Sequence, residues 1–227
     1  MSQRGSKFRR VRTDYYRMTA APTVILLHGL ARSHYDMRLM AHRFHALLPE
    51  SQVHCFDYQS RKLTLAEATS CLREYVHSVA TEGAVSFVGH SLGGIVARNL
   101  DLTGGCKYPL HRLVTLGSPH NGATIARFFR RYRTPRAVFG PMLTELGALN
   151  LLTEPKELEI GCLVGGTNSR FGFFPLFGSD NDGTVLTTEA ALRGAVAQGP
   201  LPSWHPLFPF SARAATLSAK FLREGAF

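Results

Sequence analysis

Ser91 lies in Gly89-His90-Ser91-Leu92-Gly93-Gly94, with a glycine two residues away on either side. A serine hydroxyl is a weak nucleophile until an imidazole takes its proton, and that imidazole needs a carboxylate to hold its tautomer and stabilise its charged form. Given both, Ser91 could carry acyl transfer. Three histidines follow it, His111, His120 and His205, and the candidate acids in the late part of the chain are Asp180, Asp182 and Glu189. The glycines have a physical purpose as well. A serine on a sharp strand-to-helix turn sits at strained φ/ψ, and side chains two positions either side would collide with the neighbouring backbone. The N-terminus of the helix would aim free N–H groups at developing negative charge.

The flanking elements suit such a turn. Val24-Ile25-Leu26-Leu27, opened after Pro22, reads as a strand buried on both faces of a parallel sheet. Met37, Met40, Phe44 and Leu47 recur at helical spacing up to Pro49. A second strand is predicted over Val53 to Tyr58. Thr64 and Glu67 resemble a capping box, opening a helix whose stripe includes Leu65, Leu72, Val76 and Val79 and which ends by Gly83. Val85 to Val88 is a third strand running straight into the Ser91 segment, with a helix from Ile95 to about Leu102. Leu113 to Leu116 and Glu159 to Val164 are further strands, and a last helix runs from Ser211 to about Arg223. Strands alternating with helices predict an α/β fold with a mostly parallel, doubly wound sheet and function at the strands' carboxyl ends.

With these residues in view, the chain resembles the α/β-hydrolase superfamily, and more narrowly the small bacterial lipases and esterases. The resemblance runs from about Pro22 to the C-terminus. It is carried by His28-Gly29-Leu30, by Gly89-His90-Ser91-Leu92-Gly93-Gly94, by Gly117-Ser118-Pro119-His120-Asn121-Gly122, by Asp182-Gly183-Thr184-Val185 and by His205. In that fold the partners follow in the order serine, acid, histidine. Only His205 lies after any of the late acids. The resemblance favours Asp182 over Asp180, two residues away in the same turn, with Glu189 a more distant third. It implies a catalytic set of Ser91, Asp182 and His205, with the backbone amides of Leu30 and Leu92 holding the oxyanion. His28 is then expected to hydrogen-bond within its loop, and His90 to pack against the turn.

The 227 residues, 44% hydrophobic and 19% charged, suffice to bury one sizeable core. The domain reading is a basic extension over residues 1–21 and a single domain over 22–227, with a cap-like insertion at about 119–156. In that insertion Phe128, Phe129, Val138, Met142 and Leu146 are candidates for an acyl pocket or for ordinary covering helices. Phe171, Phe173, Phe174 and Phe177 are read as pocket wall or core. The net charge of +10 favours anionic partners. Arg4 to Arg17 and Arg127 to Arg136 form its two clusters, and an anionic membrane surface suits them. No nucleic-acid-recognition pattern accompanies them, so nucleic acid is not expected as a partner. Cys55, Cys71, Cys106 and Cys162 are too widely spaced for a zinc or redox motif, which suggests a reducing compartment.

No apolar run is long enough to span a bilayer and no secretory signal is visible, so a cytoplasmic, at most membrane-peripheral, location is expected. No metal or organic cofactor is implied. The expected activity is hydrolysis of carboxylic esters with a hydrophobic acyl group. Thioesterase, amidase and acyltransferase chemistry use the same residues and stay open, as does a catalytically idle relative that binds lipid or protein.

Overall fold

The computed structural model describes residues 22–148 and 155–227. The basic cluster Arg4 to Arg17 and Leu149 lie outside the described residues. Six strands form one parallel sheet in the order β2-β1-β3-β4-β5-β6. They are β1 (Thr23–Leu27), β2 (Gln52–Phe56), β3 (Val85–His90), β4 (Leu110–Leu116), β5 (Glu159–Gly165) and β6 (Val196–Leu201). Strand order reverses between β1 and β3, and Leu27 stands opposite Gly89 at that switch point. In open parallel sheets the crevice forms there, at the carboxyl ends.

The continuous apolar runs arise because the sheet is covered on both faces. Ile25, Leu27 and Phe87 pack with Leu72 and Ile95 on one side, while Val24, Leu26 and Val88 pack with Phe44 and Phe221 on the other. The first side is covered by α2 (Leu65–Val79) and α3 (Leu92–Thr103). The second is covered by α1 (Arg38–Leu47) and α8 (Ala212–Glu224). The capping box forms as expected: Thr64 Oγ1 accepts from the Glu67 amide at 3.3 Å, and Glu67 Oε2 accepts from the Thr64 amide at 2.8 Å. All four cysteines are free, and burial raises the Cys55 thiol to about 11.

Several boundaries differ from the sequence reading. A 3₁₀ turn over His34–Met37 precedes α1, and β2 closes at Phe56 rather than Tyr58. Helix α3 begins at Leu92 rather than Ile95, so it starts directly after Ser91. Gly93 and Gly94 disfavour helix by propensity, and their packing on β1 and β4 overrides it. Strand β6, Val-Ala-Gln-Gly-Pro-Leu, was not anticipated. It is an edge strand with most of its residues exposed, where alternation is not demanded and Pro200 is tolerated.

Between β4 and β5 stand three short helices, α4 (Thr124–Phe129), α5 (Arg133–Phe139) and α6 (Pro141–Ala148). Met142 and Leu146 of α6 are buried in the main core, so of the acyl-pocket candidates these two serve as covering-helix residues. Phe128 and Val138 are exposed. The last short helix, α7 (Thr187–Ala190), carries Glu189, whose carboxylate accepts from the Thr124 amide at 2.6 Å and from Arg127 at 2.9 Å. That buried side chain is committed to tying the start of the helical stretch to the loop after β5. Among the described residues no helix is long and apolar enough to cross a membrane.

Candidate active site

Ser91 adopts φ 52° and ψ −118°, a conformation that costs a non-glycine residue on the order of 1–3 kcal/mol. The turn is held in place from both sides. The Ser91 amide donates to Leu116 O at 3.0 Å, and Leu92 begins α3 with its N–H outside the helical ladder. A Cβ on Gly89 would lie 2.2 Å from Gly94 N, and one on Gly93 would lie 2.5 Å from Leu27 O. Neither position has room for a side chain, so the strand, the turn and the first helical turn can close on one another.

The loop after β1 lies against this turn. A Cβ on Gly29 would stand 3.2 Å from the Ser91 Cβ, which places the Gly29-Leu30 backbone beside the serine. Groups from the end of β2 hold that loop. Tyr58 donates through its hydroxyl to His28 O at 2.9 Å and through its amide to His28 Nε2 at 3.3 Å, while Ser60 Oγ accepts from the Ala31 amide at 3.0 Å. His28 is fully buried, and its Nδ1 lies 2.9 Å from Gly29 O. Burial holds its imidazole below the usual range, against the opposing pull of Asp57, whose Oδ1 lies 3.2 Å from Nε2. Tyr58 and Ser60 were missed in the sequence because they acquire this role only when β2 pairs with β1 in parallel register.

Asp182 follows β5 and His205 follows β6. His205 Nδ1 is 2.6 Å from Asp182 Oδ2, and the His205 amide donates to Asp182 O at 2.8 Å. The second oxygen of Asp182, Oδ1, accepts from the amides of Thr184 at 3.0 Å and Val185 at 2.7 Å. This carboxylate is almost completely buried, so its charge is held by two backbone dipoles and one imidazole. The pair packs on Gly117, where a Cβ would lie 2.8 Å from Asp182 Oδ2 and 3.2 Å from His205 Nδ1. Gly117 follows Leu116, the residue that receives the Ser91 amide.

Asp180 has other partners. It accepts from the amides of Thr167 at 2.9 Å, Asn168 at 3.0 Å and Asn181 at 3.0 Å, and makes no hydrogen bond to a histidine among the described residues. His120 is buried between β4 and α3 with its Nε2 3.2 Å from Thr115 Oγ1, and burial lowers it to about 3. His90 is buried against His205, ring centroids 4.9 Å apart, with its Nε2 3.0 Å from His205 O. Burial first, and the neighbouring His205 second, hold His90 well below the usual imidazole range.

Phe173, Phe174, Gly183 and Trp204 line an open surface recess of about 390 Å³. Gly183 and Trp204 are the chain neighbours of Asp182 and His205, so an apolar recess adjoins the polar pair. Phe173, Phe174 and Trp204 are themselves exposed at the rim, as is Phe171. Trp204 was not singled out as a recess residue, and only its position before His205 could have signalled it. Among the described residues no group of three or more histidine, cysteine, aspartate or glutamate side chains is placed to hold a metal ion.

A six-stranded parallel sheet with a strained serine at the β3–α3 turn defines the α/β-hydrolase fold. Solved structures agree on the fold. Bacillus licheniformis lipase BlEst2 in its mature form superposes with a TM-score of 0.62 at 20% identity, over 92% of this chain and 93% of that one. A metagenomic carboxyl esterase gives 0.61 at 17% identity, over 91% and 77%. Carboxylesterase CesB from Bacillus subtilis gives 0.54 at 13% identity, over 91% and 85%. No curated protein matches the chain by sequence. The profile of the palmitoyl protein thioesterase family matches residues 23–149, more than half of the chain, and the chain belongs to that family. It is thereby a hydrolase of the lipase, esterase and thioesterase kind.

Proposed function

We propose that the protein is a serine hydrolase acting on carboxylic esters with a hydrophobic acyl group, through Ser91, His205 and Asp182. The observation that carries this reading is the buried Asp182–His205 contact of 2.6 Å beside the strained Ser91 turn. With Nδ1 turned to Asp182, the other ring nitrogen of His205 is left to act as base. It takes the Ser91 proton as Oγ attacks the acyl carbon. The amides of Leu30 and Leu92 stabilise the oxyanion. The His205 cation then protonates the departing alkoxide, leaving an acyl-serine. A water, deprotonated by the same nitrogen, releases the carboxylic acid and restores Ser91. Asp182 keeps the imidazole in the required tautomer and stabilises its charged form.

The recess formed by Phe173, Phe174 and Trp204 is suited to apolar acyl carbons. A thioester is the second reading, favoured by the family match. It runs through the same steps with a thiol as leaving group.

The test is labelling of wild type and Ser91→Ala with a fluorophosphonate, read by intact mass, together with turnover of matched oxygen esters and thioesters of short and long acyl chains. One adduct on the wild type alone, with faster turnover of the oxygen ester, supports the proposal. Faster turnover of the thioester establishes the second reading. An unlabelled wild type in the presence of detergent overturns both.

A further inference from the structure

Apart from Val196, the exposed large apolar residues lie in or just beyond the segments that follow the carboxyl ends of β1, β4, β5 and β6, which is the face that carries Ser91. Phe128 is 51% exposed, Tyr132 52%, Phe171 51% and Leu176 85%. A folded chain rarely leaves so many aromatic and aliphatic side chains in water on one face without a use for them. The charge on this face has one dominant sign. Between residues 119 and 148 there are five arginines and one acid, Glu145, whose carboxylate accepts from the Leu65 amide at 2.6 Å. Arg127 is paired with Glu189, whereas Arg131, Arg133 and Arg136 make no ion pair among the described residues and are exposed. Helix α5 has no fully buried residue and packs on the core through Phe139, so packing does not account for its exposed arginines. Arg170, beside Phe171, adds another cation over an exposed ring, with its guanidinium 4.7 Å from the ring centroid.

Aromatic and aliphatic side chains interleaved with arginines on one exposed face combine two contributions to membrane affinity. The apolar groups enter the headgroup boundary, and the cations meet anionic lipid. Duplex nucleic acid would be served by the arginines alone and gives no use for Phe128, Tyr132 or Leu176. We propose that the face around Ser91 docks on an anionic lipid bilayer, with Arg131, Arg133 and Arg136 against acidic headgroups and Phe128, Tyr132 and Leu176 in the interfacial layer. Docking is a property of this surface and not of the acyl chemistry, so it persists in Ser91→Ala. A substrate held in the bilayer would then face the recess beside Asp182 and His205.

The test is co-sedimentation of the full chain with vesicles of phosphatidylcholine alone and of phosphatidylcholine with phosphatidylserine, at low and at physiological salt. Wild type and Ser91→Ala are expected to bind the phosphatidylserine vesicles alike, less at higher salt, and the neutral vesicles far more weakly. The combined variant R131Q/R133Q/R136Q is expected to bind on the order of a hundredfold more weakly, about fivefold for each arginine removed. F128S/Y132S is expected to bind more weakly at every salt concentration while keeping the wild-type salt dependence. Since Arg131, Arg133 and Arg136 are all exposed, the arginine variant should melt like wild type and hydrolyse a soluble short-chain ester at the wild-type rate. The proposal is overturned if wild type does not prefer the anionic vesicles, or if these substitutions leave binding unchanged while R4Q/R9Q/R10Q/R12Q/R17Q abolishes it. It is also overturned if duplex DNA is bound as tightly as the vesicles and F128S/Y132S has no effect on either.

Discussion

Asp182 and His205 are joined twice: side chain to side chain at 2.6 Å between Oδ2 and Nδ1, and main chain to main chain at 2.8 Å from the His205 amide to Asp182 O. The second bond holds the loops after β5 and β6 together independently of the first. A substitution that removes the carboxylate charge should therefore leave the loop geometry largely intact.

Asp182→Asn is accordingly expected to lower kcat by roughly 10³–10⁴-fold with little change in fold, because the amide favours the wrong imidazole tautomer. Asp180→Asn should leave kcat within a few-fold and cost about 1–3 kcal/mol of stability, since Asp180 satisfies three loop amides. Steady-state kinetics on the proposed ester and thermal melts of both variants check this. The reverse order of kcat losses would move the acid to Asp180.

At the turn itself, Ser91→Ala is expected to remove turnover without altering stability, because alanine inherits the strained φ of 52°. Ser91→Gly should be equally inactive but more stable by about 1 kcal/mol, since glycine adopts that conformation without the side-chain penalty. Melting temperatures of the two inactive proteins separate strain from chemistry. Equal values would mean that the turn carries no side-chain strain.

Gly117 has φ 60°, and a Cβ there would lie 2.8 Å from Asp182 Oδ2. Gly117→Ala should displace the Asp182–His205 pair and lower kcat by at least about a hundredfold, as misplacements on the order of 1 Å do elsewhere. Retained secondary structure by circular dichroism would separate this effect from unfolding. Wild-type turnover in a folded variant would refute it.

Acid should destabilise the fold through its buried histidines. His120 is lowered to about 3 by burial, so between pH 6.5 and 3 the unfolded chain binds a proton that the native chain refuses. Native stability therefore falls as pH falls through that window, by up to about 1.4 kcal/mol per pH unit from this residue alone. His28 and His90, also lowered by burial, act in the same direction. Denaturant melts of wild type and His120→Gln across the window should show a slope shallower by about one proton in the variant. Parallel slopes would show that His120 is protonated in the native state.

Much of the sheet was legible in the sequence because it is buried on both faces. Burial makes Val24 to Leu27 of β1 an uninterrupted apolar run and leaves only Ser86 polar between Val85 and Val88 of β3, and the strand–glycine–serine–glycine–helix order around Ser91 is a local signal that one segment carries by itself. Edge strand β6 was not legible, since exposure removes the apolar demand that would have marked it. Asp180 and Asp182 share one turn in sequence, and a preference between them came from resemblance alone. Their surroundings differ through pairings over a range that periodicity does not report: Asp182 meets His205 across 23 residues, while Asp180 is used up by amides 12 and 13 residues before it.

By itself, then, the sequence determined the order of strands β1 to β5 and their main covering helices, the strained serine turn and the short menu of histidines and acids, because each depends on contacts between near neighbours in the chain. Only the tertiary structure decided which members of that menu meet, that Tyr58 and Ser60 brace the loop beside Ser91, and that Met142 and Leu146 turn into the core while Phe128 and Val138 remain exposed. Those outcomes depend on parallel register and on packing between distant segments, and neither is written in the spacing of one segment.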